Sequence, residues 1–292
     1  MMSLSRREFL AVAGAATLLP ATAVATRANE SPKFKVGLVT YNVAQAWDLP
    51  TILKHCHAAE IAAVECRTTH KHGVEPALSK EQRSTVKKQF ADSGVAFWGC
   101  GSTCEFHAAD MAVVKKNIAD CKQFLALVKE LGGTGVKVRP NGVAKGHTVE
   151  QACDQIGTAL KLCGSAAADL GLEIWVEVHG PTTQVPKNMK AIMDACGNPA
   201  VGVTWNSNPT DVVKGSVAEG FKLLEPHVKS CHINELTNDA AGKYPYRDLF
   251  AKLRGIGYDR YTLCEVGKTY TPEEGLKFLT DYKKLWDELA AG

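Results

Sequence analysis

Eight short apolar segments alternate with helix-like segments along this chain of 292 residues, and no other feature constrains the fold as strongly. Successive apolar segments begin between 27 and 40 residues apart, a spacing typical of strand–helix units that build a parallel sheet. In chain order they are residues 35–42, 62–67, 95–101, 135–140, 172–180, 201–206, 228–234 and 259–266. The alternation therefore predicts an α/β fold with eight parallel strands.

Two architectures arrange parallel strands in this way, an open doubly wound sheet and a closed barrel. An open sheet that binds a dinucleotide would carry a glycine-rich fingerprint after its first strand, and none follows residues 35–42. Eight strand–helix units match the number that closes a barrel, and the roughly 265 residues left after an N-terminal segment are a usual barrel length. We therefore predict a single (β/α)8 TIM barrel domain over residues 34–290.

The helix-like segments carry recognisable end signals. Asp48 precedes the first of them and Pro50 lies in its first turn, a pattern typical of a helix N-terminus. Gly94 and Gly132 follow the second and third segments, where glycine commonly ends a helix. Apolar spacing also predicts a sixth helix over residues 212–224.

The N-terminus reads as an export signal rather than as part of the fold. Arg6 and Arg7 form a twin-arginine pattern, an apolar stretch covers residues 11–25, and residues 23–25 form a small-residue cleavage site. We predict that residues 1–28 are a twin-arginine signal peptide and leader. The mature protein is then expected to be soluble and periplasmic or extracellular, with no stable membrane insertion. This route carries folded proteins, which agrees with a cofactor loaded before export.

Charge and cysteine usage exclude several classes of function. Removal of residues 1–25 takes away two arginines and one glutamate, so the net charge falls from +3 to +2. This near balance offers no electrostatic footprint for nucleic acid and no basic anchor for a membrane surface. The ten cysteines contain no CxxC pair, and several lie in apolar segments. A disulfide framework is not expected, although Cys100 and Cys104 are close enough in sequence to pair.

Four consecutive apolar segments in the second half end in residues that can bind a divalent metal. Catalytic groups of a barrel gather where the strands end, so these side chains should meet at one mouth. They are Glu177, Asn206, His232 and Glu265. A set of two carboxylates, a carboxamide and an imidazole suits Mn²⁺, Mg²⁺, Co²⁺ or Zn²⁺. The sequence thus predicts one divalent metal held by these four residues.

Other strand ends add polar groups at the same mouth. Side chains two residues apart on a strand share a face, so His179 should point with Glu177, and Arg139 with Lys137. We predict that His179 binds a substrate hydroxyl and that Lys137 neutralises an enolate or binds phosphate. A structural His179 and a solvated Lys137 are the alternatives. Asn42 and either Glu65 or Arg67 should also face the mouth, without a predicted role.

The order of these strand-end residues resembles the xylose-isomerase-like TIM barrel superfamily, which includes the sugar phosphate isomerase/epimerase family. The resemblance extends over the whole mature chain. It implies that Glu177, Asn206, His232 and Glu265 bind one divalent metal and that Glu177 and Glu265 act as acid and base. In such chemistry a metal stabilises an enediolate while two carboxylates remove and return a proton beside a sugar carbonyl. The resemblance therefore implies a metal-dependent isomerase or epimerase of a small carbohydrate.

Two departures from the family pattern keep other functions open. Many members carry Asp where this chain has Asn206, and family epimerases place a His and an Arg where this chain has Pro209 and Asn238. A dehydratase or lyase of the same superfamily, acting on a keto-sugar or an inosose, would use similar chemistry. A catalytically silent carbohydrate-binding barrel is a further alternative. The sequence leaves the substrate, the metal and a possible homo-oligomer undecided.

Overall fold

The protein is described by a computed structural model over residues 32–292. The predicted signal peptide and leader, residues 1–28, lie outside the described residues. Eight parallel strands form a closed barrel in which each strand pairs with its neighbours in sequence and the first strand also pairs with the last. The prediction of a (β/α)8 TIM barrel is confirmed.

The elements alternate along the chain as the sequence predicts. The strands are β1 (Lys35–Val39), β2 (Ala63–Arg67), β3 (Ala96–Glu105), β4 (Gly135–Arg139), β5 (Glu173–Glu177), β6 (Val201–Asn206), β7 (Val228–Ile233) and β8 (Tyr261–Cys264). The helices are α1 (Leu49–Ala58), α2 (Lys80–Ser93), α3 (Met111–Leu131), α4 (Val149–Asp169), α5 (Pro186–Cys196), α6 (Ala218–Leu224), α7 (Tyr246–Gly255) and α8 (Pro272–Ala290). Short 3-10 helices follow β6, α6 and β7.

The predicted helix ends coincide with real capping interactions. The Asp48 side chain accepts a hydrogen bond from the backbone N–H of Thr51 at 3.0 Å, which caps α1. Gly94 and Gly132 end α2 and α3 with positive φ angles of 71° and 82°, a conformation that glycine adopts without strain. Local sequence signals therefore set these boundaries.

The prediction of a helix over residues 212–224 is wrong in its first half. Helix α6 begins only at Ala218. Before it, Lys214 and Gly215 have φ angles of 51° and 80°, and the backbone N–H groups of Val213 and Ser216 each donate to the other residue's carbonyl. This tight turn takes up the residues that apolar spacing had assigned to a helix, because left-handed backbone angles end helical geometry.

Alternate residues of β5 mark successive layers inside the barrel. Glu173 lies in the layer at the N-terminal end, where both of its carboxylate oxygens accept hydrogen bonds from Arg260 at 2.6 and 3.0 Å. Trp175 fills the middle layer and stacks on Trp98, with ring centroids 4.6 Å apart. Glu177 follows two residues later, so the two-residue period of the strand places it in the layer at the C-terminal mouth.

Two strand glycines make room for the middle layer. A Cβ atom on Gly135 would lie 2.8 Å from the Trp175 ring, and one on Gly99 would lie 2.0 Å from the carbonyl oxygen of Gly135. Neither atom could be accommodated without moving a strand. The small residues of β3 and β4 thus allow a tryptophan to close the barrel beneath the mouth.

A further tryptophan and the cysteines lie buried in the fold. Trp205, on β6, is buried and donates through Nε1 to the Tyr244 hydroxyl at 2.9 Å. All ten cysteines are buried with free thiols, Cys100 and Cys104 among them. Within residues 32–292, no helix combines the length and apolar character needed to cross a membrane.

Candidate active site and metal centre

Three of the four predicted ligand residues converge at the C-terminal mouth of the barrel. Glu177, His232 and Glu265 each present a ligand atom, and these atoms all lie within 4.8 Å of one another. The Nδ1 atom of His232 lies 3.2 Å from Oε1 of Glu265 and 3.9 Å from Oε1 of Glu177. Glu265 follows directly after β8, and its backbone N–H donates to the carbonyl of Ile233 at 2.8 Å, which fixes it beside β7.

The Nδ1 atom of His232 fits the role of a metal ligand. His232 is completely buried, yet its Nδ1 makes no hydrogen bond within residues 32–292, although a carboxylate oxygen lies 3.2 Å away. Buried polar atoms are rarely left without a partner. Two carboxylates and an imidazole nitrogen are the donors that Mn²⁺, Co²⁺ and Zn²⁺ accept. The residues present therefore suit a divalent cation between the side chains of β5, β7 and β8.

The second ring nitrogen of His232 faces a carboxylate that sequence reasoning left without a role. Its Nε2 lies 3.3 Å from Oε2 of Glu65, a fully buried residue on β2. A Cβ atom on Gly101 would lie 2.7 Å from Oε1 of Glu65, so the glycine leaves space for this side chain. A carboxylate behind a ligating histidine fixes the orientation and tautomer of the ring. The sequence did contain a signal for Glu65, because a charged residue inside a buried strand indicates a specific partner.

Electrostatics set the charges of the central groups, and the carboxylates that favour a proton on His232 would equally favour a divalent cation, which the imidazole binds in its neutral form. Burial alone would lower the pKa of His232, but the carboxylates of Glu265 and Glu65 outweigh it and raise the pKa to about 10. Burial would likewise raise the pKa of Glu177, but the charges of Lys137 and His232 lower it to about 2. Glu177 is therefore a carboxylate at neutral pH, as both a ligand and a base require.

Lys137 lies against Glu177 at the base of the site. Its ammonium group donates to Oε2 of Glu177 at 2.7 Å, and both side chains are almost fully buried. Lys137 thus lies at the barrel mouth, as the sequence predicts. Its carboxylate partner, Glu177, could not be predicted from the sequence. A buried carboxylate without such a cation would be costly, so Lys137 keeps Glu177 ionised and in place.

Asn206 lies beside Glu177 but presents its amide nitrogen. Its Nδ2 donates to Oε1 of Glu177 at 3.1 Å, and its Oδ1 accepts from the backbone N–H of Ser207 at 2.9 Å. The Glu177 carboxylate attracts the amide N–H in this orientation. A cation between the two groups would attract the amide oxygen instead, so coordination by Asn206 requires the amide to rotate. Its role as a ligand stays a prediction.

His179 belongs to a polar network along the rim of the mouth. Its Nδ1 lies 2.9 Å from the side-chain oxygen of Asn141, whose Nδ2 donates to Glu105 at 2.8 Å. Glu105 also accepts from the guanidinium of Arg139. Arg139 shares a strand face with Lys137, as predicted, and both line the same cavity. The His179 ring is thus held in place at the cavity surface.

A cavity of about 140 Å³ opens above the candidate metal centre. Its lining residues come from strand ends or the loops directly after them. They are Tyr41, Arg67, Lys137, Arg139, Glu177, His179, Asn206, Asn234 and Glu265. Every predicted site residue except His232 lines this cavity, and His232 lies beneath it between Glu177 and Glu265. Arg67, Arg139 and Tyr41 are lining residues to which the sequence gave no function.

Comparison with known proteins identifies the family. The sequence model of the family described as xylose isomerase-like TIM barrel matches residues 53–282. The chain therefore belongs to this family, as the strand-end residues predict. No curated protein matches the sequence.

Solved structures share the fold at low sequence identity. D-psicose 3-epimerase from Clostridium cellulolyticum H10, solved with D-tagatose, is 14% identical, with a TM-score of 0.69 over 88% of this chain and 96% of that chain. 3-Keto-D-glucoside 4-epimerase, YcjR, from E. coli is 12% identical, with a TM-score of 0.70 over 86% and 99%. The IolI protein with a bound zinc atom is 16% identical, with a TM-score of 0.72 over 88% and 98%. At these identities the likeness establishes a common fold.

Proposed function

We propose that the protein is a divalent-metal-dependent sugar isomerase or epimerase that transfers a proton next to a carbonyl through an enediolate. One observation carries the proposal. The buried Nδ1 of His232 makes no hydrogen bond to any of the described residues and lies between the carboxylates of Glu177 and Glu265. We assign one ion, Mn²⁺, Mg²⁺, Co²⁺ or Zn²⁺, to these three residues together with Asn206.

The two glutamates carry the proton transfer in this proposal. A divalent ion, when bound, supplies a Lewis acid that polarises the carbonyl group of a sugar. Lys137 keeps Glu177 in its carboxylate form. Glu265 lines the same cavity and lies next to His232. One carboxylate removes the proton and the other returns it, which inverts a carbon centre or moves the carbonyl. In this proposal His179 and Lys137, which line the cavity, contact substrate oxygens.

The similar structures support the reaction class. D-psicose 3-epimerase and 3-keto-D-glucoside 4-epimerase are both epimerases of small carbohydrates by name, and the IolI structure contains zinc. Membership of the family adds the same expectation. We therefore place a small carbohydrate in the cavity as the substrate, and no nucleic acid.

A dehydratase or lyase is the second candidate, favoured by one contact. The Lys137 ammonium lies 2.7 Å from Glu177, so a proton donor stands next to the proposed base. Elimination of water begins with the same removal of a proton beside a carbonyl, and a nearby acid can protonate the departing hydroxyl. Product analysis separates the two reactions, because an isomerase conserves the mass of the sugar and a dehydratase removes one water.

The first test is the metal content of the purified protein. We expect about one divalent ion per chain, in line with a three- or four-ligand site. His232→Ala should lose it, whereas His57→Ala should retain it because His57 lies exposed on α1. The proposed metal centre is rejected if both the wild type and His57→Ala stay free of metal after Mn²⁺, Co²⁺, Zn²⁺ and Mg²⁺ have been supplied in turn.

The second test is proton exchange with solvent. Sugars and keto-sugars incubated with the metal-loaded protein in heavy water should gain deuterium next to the carbonyl. Glu177→Gln and Glu265→Gln should each abolish this exchange while circular dichroism shows an intact fold. Exchange at the wild-type rate in either variant contradicts the assigned roles. Metal without exchange on any sugar would favour a silent carbohydrate-binding barrel.

We also propose that the protein is exported by the twin-arginine route to the periplasm or beyond. The proposal rests on Arg6, Arg7 and the apolar residues 11–25. Replacement of both arginines by lysine should leave the full-length precursor in the cytoplasm, and Arg27→Lys should not. Fractionation with immunoblotting measures this, and processed protein outside the cytoplasm in the double variant would refute the route.

A further inference from the structure

The cavity above the candidate metal centre is lined by more cationic than anionic side chains. Its lining contains three basic residues, Arg67, Lys137 and Arg139, but only two acidic ones, Glu177 and Glu265. Two of the bases already have carboxylate partners, because Lys137 contacts Glu177 and Arg139 contacts Glu105. The third basic residue of the lining is Arg67.

Arg67 presents a guanidinium that is mostly unused by the protein. It ends β2, and its only side-chain hydrogen bond within residues 32–292 runs from Nη1 to the carbonyl oxygen of Thr68 at 3.0 Å. No carboxylate of the same residues lies within ion-pairing distance of it. Its Cζ lies 6.0 Å from the centre of the Tyr41 ring, at the far end of a cation–π contact. Four of its five N–H donors thus make no hydrogen bond to the described residues.

The surroundings of Arg67 disfavour its positive charge. It is half-buried, and its pKa is lowered first by that burial and then by the like charge of Arg139. Arg139 lines the same cavity and has an Nε–H that is buried without a hydrogen-bond partner. Two arginines thus line one small space, where an added anion would relieve their repulsion and accept hydrogen bonds from Arg67.

We propose that Arg67 and Arg139 form an oxyanion subsite, so that the substrate carries a carboxylate or phosphate group in addition to its hydroxy-carbonyl unit. This inference rests on the proposed function, since it defines which member of the carbohydrate class enters the cavity. The planar guanidinium matches both carboxylate and phosphate through paired hydrogen bonds. A sugar acid or a sugar phosphate therefore fits, whereas a neutral sugar leaves Arg67 without an anionic partner.

The size of the cavity limits how much of the substrate lies inside. A volume of about 140 Å³ is below the range of about 300–1,000 Å³ usual for ligand pockets. It holds the reacting carbons and the anionic group of a short compound. The rest of a longer substrate would extend past Tyr41, which is 39% exposed at the rim.

The test compares three small probes that share a backbone. D-glycerate carries a carboxylate, glycerol 3-phosphate carries a phosphate, and glycerol is neutral. Isothermal titration calorimetry with the protein as purified should show at least one anion binding about tenfold or more tightly than glycerol. The tighter anion identifies the group that the subsite takes. Equal affinity for all three probes overturns the inference.

Variants at Arg67 show whether the arginine supplies the preference. Arg67→Gln should weaken binding of the preferred anion by about ten- to hundredfold and leave glycerol binding unchanged. Arg67→Lys keeps the charge without the paired donors and should fall between the two. Arg247→Gln, which changes an exposed arginine paired with Asp239, should behave as wild type. An Arg67→Gln protein that binds the anion as tightly as wild type overturns the inference, because another group then holds it.

Two further measurements keep this result separate from the proposed function. Thermal unfolding checks each variant, and if Arg67→Gln does not fold, wild-type anion affinity in Arg67→Lys overturns the inference. Metal content and deuterium exchange are measured on the same preparations. Exchange on neutral sugars without an anion preference rejects the oxyanion subsite alone. An Arg67-dependent anion preference in a protein without metal or exchange supports the subsite and rejects the isomerase.

Discussion

At the scale of single residues, the site is a set of carboxylates whose properties depend on Lys137 and His232. Lys137 keeps Glu177 ionised, and His232 lies between Glu65 on one side and Glu177 and Glu265 on the other. The types of the ligand residues could be predicted from the sequence because each follows an apolar strand. Their partners could not, because each partner lies on a different strand.

Replacement of Glu65 tests its role behind His232. Glu65→Gln keeps the shape of the side chain but weakens the acceptor for Nε2 of His232, so metal affinity should fall about ten- to hundredfold. Competition with a fluorescent chelator measures the affinity, and the fold should be unaffected. Glu130→Gln, at an exposed ion pair with Arg83, is the matched control. Unchanged affinity in Glu65→Gln would mean that His232 is oriented by its packing alone.

Asn206 provides a pair of substitutions with opposite expected effects. Asn206→Asp adds a carboxylate next to Glu177, so the metal should bind about tenfold or more tightly. The metal-free variant should be less stable than the wild type, because two negative charges then lie side by side. Asn206→Ala should weaken metal binding. The same chelator competition measures both variants. If neither changes the affinity, Asn206 is not a ligand.

At the scale of elements, the segment after β6 depends on a buried acid. Asp211 accepts hydrogen bonds from the backbone of Asn208 at 2.8 Å and from the Tyr244 hydroxyl at 3.0 Å. Burial raises its pKa from 3.8 to about 7, against the lowering effect of these two hydrogen bonds. The folded protein thus keeps a proton that the unfolded chain releases. Its contribution to stability is complete below pH 3.8 and is lost as the pH rises to about 7.

Asp211→Asn removes this titration and should flatten the pH dependence. In the wild type, Asp211 should lower the free energy of unfolding by on the order of 1 kcal/mol for each pH unit within that interval. Urea unfolding at pH 4.5, 5.5 and 7 compares the slopes, with the exposed Asp281→Asn as the control. Identical slopes in wild type and Asp211→Asn would show that the carboxyl titrates normally in the folded state.

The positions of the strands and helices show how much of the secondary structure could be predicted from local sequence patterns. Capping residues and apolar alternation placed the strands and most helices within a few residues, because both signals act within one turn or one pleat. The sixth helix was placed too early, since the turn at Lys214 and Gly215 interrupts a segment whose apolar spacing is still helical. Strand β3 runs four residues past the predicted end at Gly101, which brings Glu105 to Arg139.

At the scale of the whole molecule, the residues of the proposed metal centre meet only in the closed barrel. Its residues come from β5, β6, β7 and the end of β8, so an ion that binds them stabilises the folded chain over the unfolded one. Free metal at about 100 times its Kd should add about 2.7 kcal/mol and raise the Tm. Calorimetry after chelator treatment and metal supply measures this. The increase should be absent in His232→Ala, and an equal increase there would place the ion elsewhere.

The sequence by itself determined the barrel and the residues that end its strands. It did so because alternation with a two-residue period and parallel strand ends are local properties of the chain. Only the tertiary structure decided which of those residues face one another. Glu65 meets His232 across 167 positions, and Gly101 leaves the space that Glu65 occupies. Among the lysine and arginine side chains that line the cavity, Lys137 and Arg139 have carboxylate partners, whereas Arg67 has none within residues 32–292. These relations depend on the layer and register of strands around a closed barrel, which no short stretch of sequence encodes.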